Sequence, residues 1–349
     1  MSIVSNMDTQ SRPIKWVFDE FKKGNLFVDE SFQRNYIWIH KDRVSLMETI
    51  LLGYPIPEIY LWETGTDPNS GDTKYSIIDG QQRLRTIGQF IDGDLKLTDS
   101  GLEFRNSNYR GKTFEELEPG LRSALWSYNI SVRFVKQAIY RDDIVKMFLR
   151  LNGTSNALNP QELRNAEFNG QFLKASERVL MLPFWKRRNI FSEGDIRRMM
   201  DIQFVSTLLI FVRSGFEDET TQSAINKMYD LLNDSYPEQD DDIAKISDTL
   251  ELIELIIDKN PSLAITLQKK THFYSVFTLC FAVKDKPKTE PDALSDSLFS
   301  WFSWHDNKCE PDGRWAESVK EYRRLSQEGV QKKANRLARY EILEKFTAR

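Results

Sequence analysis

The chain has 349 residues, 40% of them hydrophobic and 29% charged, with a formal net charge of −4. That length supports a full core and two domains, and the mild acidity excludes a global nucleic-acid signature, leaving any DNA contact to a local patch. Two cysteines, Cys280 and Cys309, exclude a disulfide framework and a cysteine-based zinc site, and no apolar run approaches a membrane span.

Residues 1–12 are polar and lack the apolar segment of a secretory signal, so a cytoplasmic location is expected. Ile14, Val17, Phe18 and Phe21 recur at helical spacing and predict a helix over 13–23. A short strand is expected at 26–28, an amphipathic helix at 41–52 and, after the break around Pro55 and Pro57, a strand at 59–62. An exposed loop over 64–73 leads to a strand at 75–78 and a helix from 80 to 91. Short strands are expected at 95–97 and 102–104, a helix at 114–126 and a strand at 130–135. From Arg141 onward the spacing is helical throughout, ending in one predicted helix over 314–346. The fold class is therefore α+β, with a mixed α/β domain over 1–140 and an all-helical domain over 141–349.

Charge is uneven in the helical part. Residues 216–258 hold thirteen acids against two lysines, and residues 314–349 hold ten bases against five acids. The basic segment has three readings: a contact for DNA, a seam that docks on the acidic segment or on a second copy in a homodimer, or a solvated helix with internal charge pairs.

Three segments carry candidate chemistry. At the first, an apolar strand runs into Asp79 and Gly80, and a helix follows with Gln81, Gln82, Arg83 and Arg85. Asp79 is expected to cap that helix and to offer a carboxylate to a metal or a water, while Gly80 lets the backbone approach a ligand. A helix start of this kind aims free N–H groups at an anion and suits a phosphate. The second segment is Phe32, Gln33, Arg34, Asn35, Tyr36, Ile37 and Trp38. In an extended strand the aromatics share a face with Arg34 and steady a guanidinium able to bind phosphate bidentately; an amphipathic edge strand with a surface arginine is the plainer account. In the third, a helix carrying Arg150 ends at Asn152 and Gly153, and a new one starts at Asn159 and Pro160, with Gln161, Glu162 and Arg164 following. These polar residues read first as helix caps and second as the lining of a site.

The chain has three histidines, His40, His272 and His305. An HNH nuclease needs a histidine base with further ligands close by. His305 with Asp306 and Asn307 is the one candidate, and it has no second histidine near it in the sequence, so such a site is not expected.

Together these segments resemble the GmrSD-type N-terminal domain family, which has a ParB/sulfiredoxin-like core. The resemblance rests on Phe32-Gln33-Arg34 with Tyr36 and Trp38, on Gly53-Tyr54-Pro55-Ile56-Pro57, on Asp79-Gly80-Gln81-Gln82-Arg83, on Phe148 with Arg150-Leu151-Asn152, and on Gln161-Glu162-Leu163-Arg164-Asn165. It covers residues 12–170 strongly. The resemblance implies a nucleoside triphosphate-binding, hydrolysing domain in bacterial defence against foreign or modified DNA, one that relatives join to an HNH nuclease or another effector. Carried over by position, Asp79, Gln82 and Arg83 would be catalytic, with Asp79 orienting a water or a Mg ion. Gly80, Gln81, Gln82 and Arg83 would hold phosphates, Gln33 and Arg34 would close the opposite side, and Arg150 and Asn152 would complete the nucleotide site. Arg85 departs from the family pattern, which has a small hydroxyl residue there. Two other readings are a ParB-like nicking nuclease with Asp79 on its metal, and a non-catalytic nucleotide or DNA sensor that works through a separately encoded effector.

Overall fold

The computed structural model describes residues 6–29, 37–104, 106–152, 159–285 and 290–348. The chain divides into two compact units, Met1–Asn159 and Pro160–Arg349.

The first unit contains β1 (Met7–Pro13), α1 (Ile14–Lys22), β2 (Leu26–Phe27), α2 (His40–Leu51), β3 (Ile59–Thr66), β4 (Thr73–Asp79), α3 (Gln81–Ile91), α4 (Pro119–Ser127), β5 (Asn129–Val135) and α5 (Arg141–Asn152). The five strands form one mixed sheet in the order β1-β5-β3-β4-β2. β3 and β4 pair antiparallel as a hairpin, and β5 returns parallel to β3 after the helical crossover. β4 lies inside the sheet, which explains its run of fully buried Ser76, Ile77 and Ile78. Ile14, Met47, Ile77, Phe90 and Val132 fill the core around it.

Strand β1 has no counterpart among the expected elements. It is an edge strand of mostly polar residues, and its partner is the antiparallel β5, from Met7 opposite Val135 to Pro13 opposite Asn129. Two expected strands are absent. Leu97 exchanges a single pair of backbone bonds with Gly111 and Lys112. The N–H groups of Glu103 and Phe104 donate instead to the buried Glu48 carboxylate, at 2.6 and 3.1 Å. A carboxylate has taken the place of a neighbouring strand there.

The second unit is helical: α6 (Pro160–Glu167), α7 (Gln171–Leu180), α8 (Pro183–Arg187), α9 (Glu193–Arg197), α10 (Met200–Ser214), α11 (Ser223–Leu231), α12 (Gln239–Lys259), α13 (Leu263–Leu267), α14 (Lys270–Val283), α15 (Pro291–His305), α16 (Ala316–Leu325) and α17 (Lys333–Thr347). α12 packs on α7, α10, α14 and α15, and α14 packs on α17, around Phe172, Leu208, Ile253, Phe277 and Trp301. The single helix expected over 314–346 is broken between α16 and α17. Gly329 takes a φ of 55° in the turn, and the Arg339 guanidinium donates to the Leu325 and Val330 carbonyls at 2.6 and 2.9 Å. Arg336 and Arg339 of the basic segment thus face the core, 6% and 1% exposed. Arg336 meets Glu219 of the acidic segment in a buried ion pair. No helix among the described residues is long and apolar enough to cross a membrane.

Candidate functional site

Asp79 closes β4, and Gly80 turns the chain into α3 with a φ of 104°. A side chain at Gly80 would be strained twice. Its φ lies in the left-handed region, and a Cβ would sit 2.6 Å from the Ile59 Cγ2. The helix ladder begins with the Leu84 N–H donating to the Gly80 carbonyl, so the Gln81, Gln82 and Arg83 amides precede it, and Gly80 stands at the N-cap. This corrects the expectation that Asp79 caps α3. Asp79 instead accepts from Arg83 one turn later, with Nη2 to Oδ2 at 2.8 Å. The same Arg83 nitrogen donates to the Glu58 carbonyl at 3.1 Å, which fixes the guanidinium against the end of β3. Among the described residues, Arg83 Nε and Gln81 Oε1 are both buried without a hydrogen-bond partner.

The sheet adds residues that sequence reasoning missed. Tyr60 on β3 stands opposite both Asp79 on β4 and Arg133 on β5, so the three form one row across the sheet. Glu58 pairs with Arg133, and the guanidinium lies 6.0 Å from the Tyr60 ring centre. Burial and then the Glu58 charge push the Tyr60 hydroxyl above its ordinary range. One signal for Arg133 was present in the sequence: it is the sole charge in the apolar strand from Asn129 to Val135.

Other expected site residues are placed as follows. Gln82 is buried, and its carboxamide oxygen accepts from the Ile37 and Trp38 amides at 3.0 and 3.1 Å, tying α3 to the chain before α2. Arg85 is exposed. Arg150 is exposed in the last turn of α5, a helix that packs on β4. Gln33, Arg34 and the Asn152 side chain lie outside the described residues.

In the second unit, Gln161 and Arg164 form a buried network. Arg164 donates to the Gln161 Oε1 through Nε and Nη2 (2.9 and 2.7 Å) and to Gln222 (2.7 Å), while Gln161 donates to the Tyr229 hydroxyl at 2.8 Å. Glu162, also buried, pairs with Arg198 at 3.3 Å.

The structure also overturns the isolation of His305. The His272 ring lies 4.6 Å from it, with Asp306 bonded to His305 Nδ1 at 2.9 Å. These residues sit on α14 and at the end of α15, packed on Phe302 and Tyr322. Burial, and secondarily the neighbouring His305, pushes His272 down to about 3 from an ordinary 6.5. Such a histidine takes up its proton first in the unfolded chain. Its contribution to stability is complete above pH 6.5 and is lost as pH falls towards 3. Stability is therefore expected to drop by about 1.4 kcal/mol per pH unit below 6.5 from this residue. Between pH 7 and pH 5 the urea midpoint of the parent chain should fall further than that of His272→Phe; parallel profiles would discount the burial of a neutral ring.

A second expected result concerns the turn itself. Gly80→Ala should cost about 2 kcal/mol in urea denaturation, against about 1 for Gly53→Ala, which shares a positive φ of 73° but has open space around it. Equal costs would mean that the approach to Ile59 does not constrain the junction.

Among the described residues, no group of three or more His, Cys, Asp or Glu side chains is placed to hold a metal ion. Asp79, with Oδ2 on Arg83, keeps Oδ1 for another partner, a donor set that fits Mg when phosphate oxygens supply the remaining ligands. Residues 14–169 match the family described as GmrSD restriction endonuclease, N-terminal domain. No curated protein and no solved structure matches the chain.

Proposed function

Taking residues 14–169 as a GmrSD N-terminal-type domain, we propose that this chain serves restriction-type defence against foreign or modified DNA, as a nucleoside triphosphatase built on the junction from Asp79 to Arg83. The observation that carries the reading is the Arg83 guanidinium. It is 14% exposed, held between the Asp79 carboxylate and the Glu58 carbonyl, in the first turn of a helix with glycine at its N-cap. A fixed cation at the positive end of a helix suits phosphate oxygens and needs little reorganisation as charge develops on the transferred group. The amides of α3 bind, Arg83 orients and neutralises, and Asp79 holds a proton-bearing water through Oδ1. A Mg ion on Asp79 would supply further charge neutralisation when bound with the nucleotide. Arg133 and Tyr60 extend the row of polar side chains from Asp79 and give a nucleotide a second cation.

A sensor without turnover has one observation in its favour. Both lone pairs of the Gln82 carboxamide oxygen are engaged by the backbone, which leaves that oxygen no capacity to orient a water. The test measures binding and phosphate release for each common nucleoside triphosphate with Mg, for the parent chain and Asp79→Ala, with supercoiled plasmid in parallel. Release that is lost in Asp79→Ala supports the triphosphatase. Binding without release selects the sensor, nicking lost in Asp79→Ala selects a nuclease, and no binding of any triphosphate ends both nucleotide readings.

A further inference from the structure

A cavity of about 110 Å³ lies in the second unit, walled by α10, α14, the turn before α17 and α17 itself. That is several times the roughly 10–15 Å³ that one water needs. Its wall is mixed: Met200, Phe204 and Val330 are apolar, but charged and hydrogen-bonding side chains interrupt them, as a plain packing defect between helices would not require. Tyr274, Arg336 and Arg339 form its inner part, with Gln203 and Gln331 beside them, and Lys270, its side chain 32% exposed, marks the rim.

Two features of this wall are unresolved by the protein's own groups. Tyr274 is 3% exposed, and its hydroxyl meets no partner in hydrogen-bond geometry among the described residues; the Arg336 guanidinium is its cationic neighbour, 4.3 Å from the ring centre, and Phe211 and Phe216 fix the ring. A buried hydroxyl is seldom left unpaired without a reason. The second feature is charge. Arg336 is matched by Glu219 through two bonds, at 2.7 and 3.0 Å, and Lys270 by Asp195 at 2.8 Å. Arg339, 1% exposed, is bonded to the Ser275 hydroxyl and two backbone carbonyls, all neutral, and these use three of its five N–H groups. The wall therefore holds one uncompensated buried cation, spare guanidinium donors and one hydroxyl in want of a partner.

We infer that this cavity is a binding site for a small oxyanion of the phosphate class, distinct from the junction at Asp79. The Arg339 guanidinium supplies the charge, Tyr274 donates from its hydroxyl, and Lys270 draws the anion in at the rim. The anion is either free phosphate or the phosphate of a mononucleotide, and the cavity volume favours the smaller.

The test uses the full-length chain, with inorganic phosphate and a nucleoside monophosphate as probes, read by calorimetry and thermal shift. Saturable binding of phosphate is expected, weakened roughly tenfold or more in Tyr274→Phe and reduced in Lys270→Gln. Arg83→Ala should leave the Tyr274-dependent share of the binding in place, which separates this site from the junction. Without ligand, Tyr274→Phe should melt close to the parent, because its hydroxyl has no partner in hydrogen-bond geometry among the described residues; with phosphate it should gain less. Tighter binding of the monophosphate than of phosphate would identify the nucleotide as the source. A cavity holding water alone would give no saturable binding of either probe, and that result overturns the assignment. So would binding that Tyr274→Phe leaves intact, or that Arg83→Ala abolishes.

Discussion

Arg83→Ala is expected to lower triphosphate turnover 10²- to 10³-fold, equivalent to roughly 3–4 kcal/mol of lost charge stabilisation. The fall should lie mainly in kcat, since a guanidinium held ready before the substrate arrives acts most strongly on the charge that develops during transfer. The fold should survive. The Asp79–Arg83 pair is partly exposed, at 32% and 14% for the two side chains, and a pair of that kind contributes about 1 kcal/mol or less. Arg83→Lys should recover little, because one ammonium does not reproduce a planar group that meets the carboxylate and the Glu58 carbonyl together. Turnover within threefold of the parent in Arg83→Ala would remove this residue from the reaction.

The second large effect concerns stability. Arg336→Met is expected to cost 3–5 kcal/mol, because it leaves the Glu219 carboxylate, 1% exposed, without its partner in the core. Burial already pushes the Glu219 carboxyl up, and Arg336 is the main group opposing that shift. The double replacement with Glu219→Gln should regain much of the loss, since neither charge then remains in a low-dielectric interior. Urea denaturation of the two single variants and the double closes the cycle. A cost below 1 kcal/mol for Arg336→Met, or simple additivity in the double, would show that the pair is not the tie between Glu219 and α17.

The legible parts of this molecule are those set by neighbours in the chain. The turn at Gly80 could be read because an apolar strand, a glycine and a helical pattern follow one another directly. What Asp79 does there could not be read in full, since the left-handed Gly80 moves the cap by one position and leaves the carboxylate to Arg83. Glu58, Tyr60 and Arg133 escaped because only strand register brings them to Asp79. His272 and His305 lie on separate helices, and nothing in the local pattern joins them. The break before α17 was hidden for a similar reason: the Arg339 guanidinium satisfies the carbonyls that a continuous helix would have used itself.

The network around Gln161 and Arg164 bears on how chains of this kind are classified. These residues lie within the matched region, and they hold α6 to Tyr229, Gln222 and Asn226. A match over residues 14–169 therefore rests in part on side chains that hold the fold. Under the proposed function, a chain with Asp79 and Arg83 both replaced is expected to keep its fold and its match while losing turnover, so resemblance and activity are separable properties of this molecule.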